Sequence, residues 1–318
     1  MNEKTSKETF SALGMALFVF LLVGSGLQIA GLLLSRHYFG MDNAPGYMFW
    51  IIAFVPLYCV AFPITYLLMK RIPREDLKET SSLSVGKWFY FLCIAFFAMV
   101  VGSIIGTIVG AIFQQFGINT GTAIEALTSD KSAIGSVVLA LLAPIVEEMI
   151  FRKFLIDRMH RFGGHVAIMT SALMFGLFHG NLAQFFYAWF LGIVFGYVYY
   201  KTGNVIYTML MHMTINFVGG VVAPRLLAGV DLAETDPMKL LSSPYFMGLL
   251  AYEAVLYTLA IVGAVFFFTG KKKIAYAKES AQLPKEEEKK VWCNLGMILF
   301  ALGCIGLFVY SLVSGYNA

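Results

Sequence analysis

Nine apolar runs divide the chain, at residues 10–34, 47–69, 86–113, 133–156, 165–180, 182–200, 205–223, 245–269 and 291–314, with short polar stretches between them. A helix needs about 20 predominantly apolar residues to cross a hydrocarbon layer of about 30 Å. The fifth run, about 16 residues, is short for a span; the others are long enough. The pattern predicts an all-α polytopic membrane protein of about nine transmembrane helices, with residues 1–318 forming a single polytopic membrane domain. The first run is long enough to stay as a helix, so no cleavable signal peptide is expected.

The polar stretches are sorted by charge. With the N-terminus in the cytoplasm, 19 of the 23 Lys and Arg residues fall on the inner side, and only Arg36, Lys131, Arg225 and Lys239 fall outside. Cytoplasmic loops carry an excess of Lys and Arg, and a missed span would scramble every loop downstream. The expectation is a multi-pass integral protein of the cell membrane, N-terminus cytoplasmic and C-terminus outside. The basic stretch 70–87 is expected against anionic membrane lipids. Residues 270–290 read as a charged cytoplasmic linker.

Composition agrees: 59% of the residues are hydrophobic and 13% charged. A soluble domain is excluded. The net charge of +4 is topological, and no nucleic-acid partner is implied. Cys59, Cys93, Cys293 and Cys304 lie in apolar surroundings without zinc spacing and read as small hydrophobes. Glycines at every fourth position, Gly102-Gly106-Gly110 and Gly192-Gly196, read as close-packing stripes. They leave the oligomeric state open. No internal repeat is visible, which speaks against a transporter built from repeats.

Against this apolar background the adjacent carboxylates Glu147 and Glu148 stand out. An ionised side chain at a helix centre costs roughly 2.5–3.5 kcal/mol on insertion scales, and such residues are functional-site candidates by default. At about 1.5 Å per residue, Glu147 lies roughly 15 Å deep, His179 near 20 Å and His212 near 10 Å, with Asn216 one turn deeper than His212. These groups share one slab of the membrane. His212 and Asn216 are i,i+4 neighbours on one face, as are Glu148 and Arg152. Arg152 can therefore pair with Glu148 while Glu147, about 100° round the helix, faces elsewhere. Glu253 and Gln28 are the other strongly polar groups within the spans, and Glu253 reads as a minor polar partner.

Two imidazoles, the carboxylates and an amide suit hydrolysis by an activated water. Imidazole plus carboxylate fits Zn2+ or another divalent metal, with His179, His212 and Glu148 as the candidate ligands. A desolvated glutamate acting as general base without metal fits equally. Three readings stay open on the residues: a hydrolase, a non-enzymatic membrane scaffold or bacteriocin-immunity factor, and an ion-coupled transporter. The sequence has no HExxH, GxSxG or Gly-Asp motif of other intramembrane proteases.

Glu147-Glu148-x-x-x-Arg152, Phe175-x-x-x-His179 and His212-x-x-x-Asn216, in that order and each on an expected span, resemble the three motifs of the CPBP (CAAX protease and bacteriocin-processing, or Abi) intramembrane proteases. Ser171 to His179, Leu191 to Gly196 and Lys201 to Asn204 fit as well, and the resemblance covers residues 133–220. It implies an intramembrane endopeptidase with a CPBP-type catalytic core enclosing the site, acting on a peptide or membrane-anchored protein substrate. By that resemblance Glu147 activates water and Glu148 supports it with Arg152. His179 and His212 are metal ligands or water-positioning groups, and Asn216 is a ligand or an oxyanion donor. The family admits both metallo- and glutamate-type mechanisms.

Overall fold

The computed structural model describes residues 5–40, 44–75, 77, 82–121, 132–231, 233–270 and 283–316. Among the described residues, nine apolar helices carry the fold. They are α1 (Ser6–Phe39), α2 (Gly46–Lys70), α3 (Val85–Gln114), α4 (Ala133–Phe162), α5 (Gly164–Phe178), α6 (Leu182–Thr202), α7 (Val205–Leu227), α8 (Pro244–Thr269) and α9 (Leu295–Tyr316). Eight are long and apolar enough to span a membrane, and α5 is the short one. The chain is an all-α polytopic membrane protein. Only 17–44% of the most apolar window of each span is buried within the protein, so the remaining apolar surface faces outward. Leu22, Leu33, Ile104, Ile108, Ile261 and Ile305 belong to that outward belt. An aqueous protein would not leave so much contiguous apolar surface exposed.

Helix ends follow local chemistry. Thr5 and Glu8 form a capping box at α1, and the side chains of Ser84, Ser132, Asn181, Asn204 and Ser243 cap α3, α4, α6, α7 and α8. The left-handed Gly203 ends α6 at φ 67° and turns the chain into Asn204. The most extensive helix pairs are α3 with α6, α5 with α6, α1 with α2, α3 with α8, and α1 with α9. Two apolar clusters result. One joins α1, α2, α4, α5, α6 and α9 around Phe10, Phe20, Phe151, Phe175 and Phe300. The other joins α3, α6 and α7 around Phe96, Phe195 and Met211. Helix α6 is the wall between them.

Both glycine stripes pack helices within the chain. A Cβ on Gly102 would lie 2.4 Å from the Tyr187 Cα of α6, and one on Gly192 would lie 2.9 Å from the Ala172 Cα of α5. All four cysteines are free. Arg158 is not a solvated flank as its place in the sequence suggests. It is 4% exposed, its Nε donates to the Met69 carbonyl at 3.0 Å and its Nη1 to the Phe154 carbonyl at 2.9 Å, so it ties α4 to α2. Most of the expected linker 270–290, residues 271–282, lies outside the described residues.

The α1–α9 contact is the tightest. A Cβ on Gly296 would sit 1.8 Å from the Ser11 carbonyl oxygen, a backbone atom that cannot move aside. Gly296→Val is expected to destabilise the protein by at least about 1–3 kcal/mol through overpacking. Gly306→Val, where nothing lies within 4 Å, should leave the unfolding midpoint in detergent unchanged.

Candidate active site

Helix α4 is not a uniform α-helix. Its turns widen at Val138–Leu142 and again at Met149–Phe154, leaving Ala143–Glu148 as an α-helical island between them. Pro144 explains the first. In the widened turn Ala143 N–H bonds the Val138 carbonyl, five residues back. Pro144 has no N–H to offer. The Leu139 carbonyl thus loses its helical donor and accepts instead from Asn216 Nδ2 at 3.0 Å. A proline on one helix in this way fixes the amide of another. Similar widened turns occur at Val55–Ala61, where Pro56 opens the turn, and at Phe217–Val222, directly after Asn216. Single widened turns inside helices are frequent at functional sites.

The two carboxylates separate as their helical phase requires. Glu148 is fully buried, with Arg152 Nε 3.1 Å from one oxygen and His212 Nδ1 3.0 Å from the other. Arg152 is fully buried too, its guanidinium 4.5 Å above the Phe175 ring and 5.5 Å from that of Phe195. Its contact with Glu148 is a charge contact rather than a well-aligned hydrogen bond. Burying two ions is tolerated because each supplies the other's counter-charge at short range and because aromatic faces attract the cation.

Glu147 is 13% exposed and faces the other way, into a cavity of about 600 Å³. His179, His212 and Asn216 line the same cavity. The Oε2 of Glu147 is 3.7 Å from His212 Nε2. Four of the six candidate residues therefore meet at one space, and Glu148 and Arg152 stand behind it. The Nδ1–H of His179 donates to the Phe175 carbonyl at 2.8 Å, while that of His212 donates to the Glu148 carboxylate. A carbonyl or carboxylate accepts only, so in its neutral form each imidazole keeps its Nε2 lone pair free.

Residues outside the motifs complete the cavity. Tyr58, from the widened turn of α2, lines the same cavity as the Glu147 carboxylate. Asn181, which caps α6, donates to the His179 carbonyl at 2.8 Å and to Gln184 Oε1 at 2.7 Å, and Gln184 Nε2 donates to the Tyr187 hydroxyl at 3.0 Å. Gln28 lines the cavity from α1 and donates to the Ala53 carbonyl at 2.8 Å. Tyr58 and Tyr187 escaped the sequence reading because a tyrosine in an apolar run scores as hydrophobic. Pro56 beside Tyr58 was the available signal.

The expected metal set of His179, His212 and Glu148 does not converge. Both Glu148 oxygens are engaged behind His212, so its carboxylate supports that imidazole rather than standing beside it as a ligand. Among the described residues no three His, Cys, Asp or Glu side chains gather in the geometry of a metal site. The Nε2 atoms of His179 and His212 suit metal ligation.

Residues 129–218, which hold every element of this site except the walls from α1, α2 and α9, match the family described as "Type II CAAX prenyl endopeptidase Rce1-like". That segment is similar to the CPBP family. Over 160 residues it is 24% identical to the "Putative membrane peptidase YdiL" of Bacillus subtilis (strain 168); the match spans 48% of this chain and 64% of that protein. No solved structure matches it. The matched segment covers α4 to the first half of α7, and the cavity it opens onto is closed by helices outside it.

Arg152→Met would leave the Glu148 carboxylate buried without its cation. Loss of one partner of a buried pair costs about 3–5 kcal/mol. A clear fall in the thermal midpoint is expected, partly restored in the Glu148→Gln/Arg152→Met double variant, where no buried ion remains.

Proposed function

We propose that the protein is an intramembrane endopeptidase of the glutamate type, cleaving membrane-associated or lipidated peptides and proteins. What carries this reading is the convergence of one partly exposed carboxylate, two imidazole Nε2 lone pairs and an amide on a single cavity among lipid-facing helices. The CAAX endopeptidase family match over the same residues supports it.

The chemistry follows from the donors. A water in the cavity gives one hydrogen bond to Glu147 and another to the Nε2 of His179 or His212. As its oxygen attacks the peptide carbonyl, Glu147 takes the proton, a general-base step worth about 10²–10⁴ in rate. The oxyanion accepts the second N–H of Asn216, whose first is held by Leu139. Breaking the C–N bond needs a proton on the leaving amine, and Glu147 returns the one it took. The products are a carboxylic acid and an amine. Glu148 and Arg152 touch no substrate; they hold His212 in its tautomer and orientation.

The site is reached from the cytoplasmic half, in keeping with a cytoplasmic N-terminus and an outer C-terminus. Reporter fusions at the two termini should report opposite sides of the membrane; the same side would require an even number of spans.

For the reaction, purified wild type and Glu147→Gln are reconstituted in liposomes with membrane-anchored peptide substrates, and metal is measured in the same preparations. Glu147→Gln should lower kcat by about 10² or more while the protein stays folded. Equal cleavage by the two proteins, or no cleavage by either with an unchanged cellular effect, would leave a membrane scaffold as the function. Stoichiometric zinc lost together with activity on chelation would replace the glutamate mechanism by a metal one.

A further inference from the structure

A second chamber, of about 640 Å³, adjoins the first. The two share Leu139, Gln184, Tyr187 and Asn216 as a common wall. On its far side stand Ser103 and Thr107 of α3, and Tyr252, Glu253 and Tyr257 of α8. Helices α3 and α8 lie wholly outside the matched segment, so that segment supplies one wall of this chamber but not the wall that carries Glu253.

Glu253 is the feature that demands an occupant. It is the tenth residue of a 26-residue span, about 14 Å from the start of the helix at 1.5 Å per residue, too deep for a glutamate side chain to reach the interface. It is half-buried, and no ion pair to it is found among the described residues. Among the described residues no Lys, Arg or His lines the chamber. A carboxylate at that depth needs a partner of opposite charge, and intramembrane ionisable groups are otherwise selected against. Tyr257, one helical turn on, and Tyr252 beside it add aromatic surface of the kind that receives a cation. The counter-charge is therefore something that enters. Because Asn216 borders both chambers, one extended chain, with about 3.3 Å of reach per residue, can enter both.

We infer that the chamber between α3 and α8 is a specificity pocket for a basic side chain of the substrate, Lys or Arg, placed a few residues from the cleaved bond and held by Glu253. The inference rests on the endopeptidase reading and adds its substrate class. The pocket selects by charge, since an acidic residue would face Glu253 across an apolar chamber with no cation to compensate.

The test uses the full chain in liposomes and acyl-anchored synthetic peptides of one fixed sequence. A single position is walked along the peptide as Lys, as norleucine (the same length without charge) or as Glu. Wild type should cleave the Lys peptide about tenfold faster in kcat/KM than the norleucine peptide at one or two adjacent positions. Glu253→Gln should bring that ratio to within about threefold of one, and Glu253→Lys should favour the Glu peptide. An indifferent wild type, or a Lys preference that survives in Glu253→Gln, overturns the pocket while Glu147-dependent cleavage keeps the endopeptidase. If wild type cleaves none of the peptides, binding of the same peptides carrying a fluorophore decides separately. Lys-selective binding lost in Glu253→Gln upholds the pocket and sinks the endopeptidase reading; binding without charge preference sinks both.

Discussion

The buried contact of Glu148 with Arg152 and His212 is the constraint on which the site depends. In hydrocarbon no water can solvate a stray charge, so a buried carboxylate persists only with a cation and donors at contact distance. Glu148 has them: Arg152 one helical turn away on its own helix, and His212 from α7. The same contact locks α4 to α7, orients the His212 imidazole, and turns its remaining nitrogen toward the cavity. Glu147 sits next in the chain but about 100° round the helix, and is thereby delivered to the open side. One dipeptide supplies both the support and the exposed acid.

Irregular helices do the remaining placement. Pro144 strips the Leu139 carbonyl of its helical donor, and that carbonyl then fixes Asn216. The widened turn holding Tyr58 brings a phenol to the cavity of Glu147 from a helix far away in sequence. Non-helical backbone groups in a membrane are tolerated only where protein or a wet cavity satisfies them. Both conditions hold around this cavity, so the departures from ideal helix and the polar site are two aspects of one arrangement.

The core over residues 129–218 furnishes the reactive groups, and helices outside it furnish the walls. Helices α1, α2 and α9 close the chamber that holds Glu147, and α3 and α8 close the chamber that holds Glu253. The two chambers thus draw their outer walls from different helices.

Much was legible in the sequence because membranes impose simple rules. Apolar run length gives the nine helices, including the shortness of α5, and helical phase alone separates Glu147 from Glu148 and pairs Glu148 with Arg152. Charge sorting gives an expected sidedness in the same way. Tertiary structure decided what periodicity cannot encode. That Glu148 backs His212 rather than joining it as a metal ligand depends on the rotation of α7 against α4, a packing outcome spread over many side chains. Tyr58, Gln184 and Tyr187 read as ordinary helix residues until the packing of the bundle places them on one cavity. Glu253 read as a minor polar group, and only the packing of α8 on α3 places it on a chamber beside Asn216. Local rules fix which face of a helix a residue occupies, whereas which helix that face meets is settled by close packing of the whole bundle.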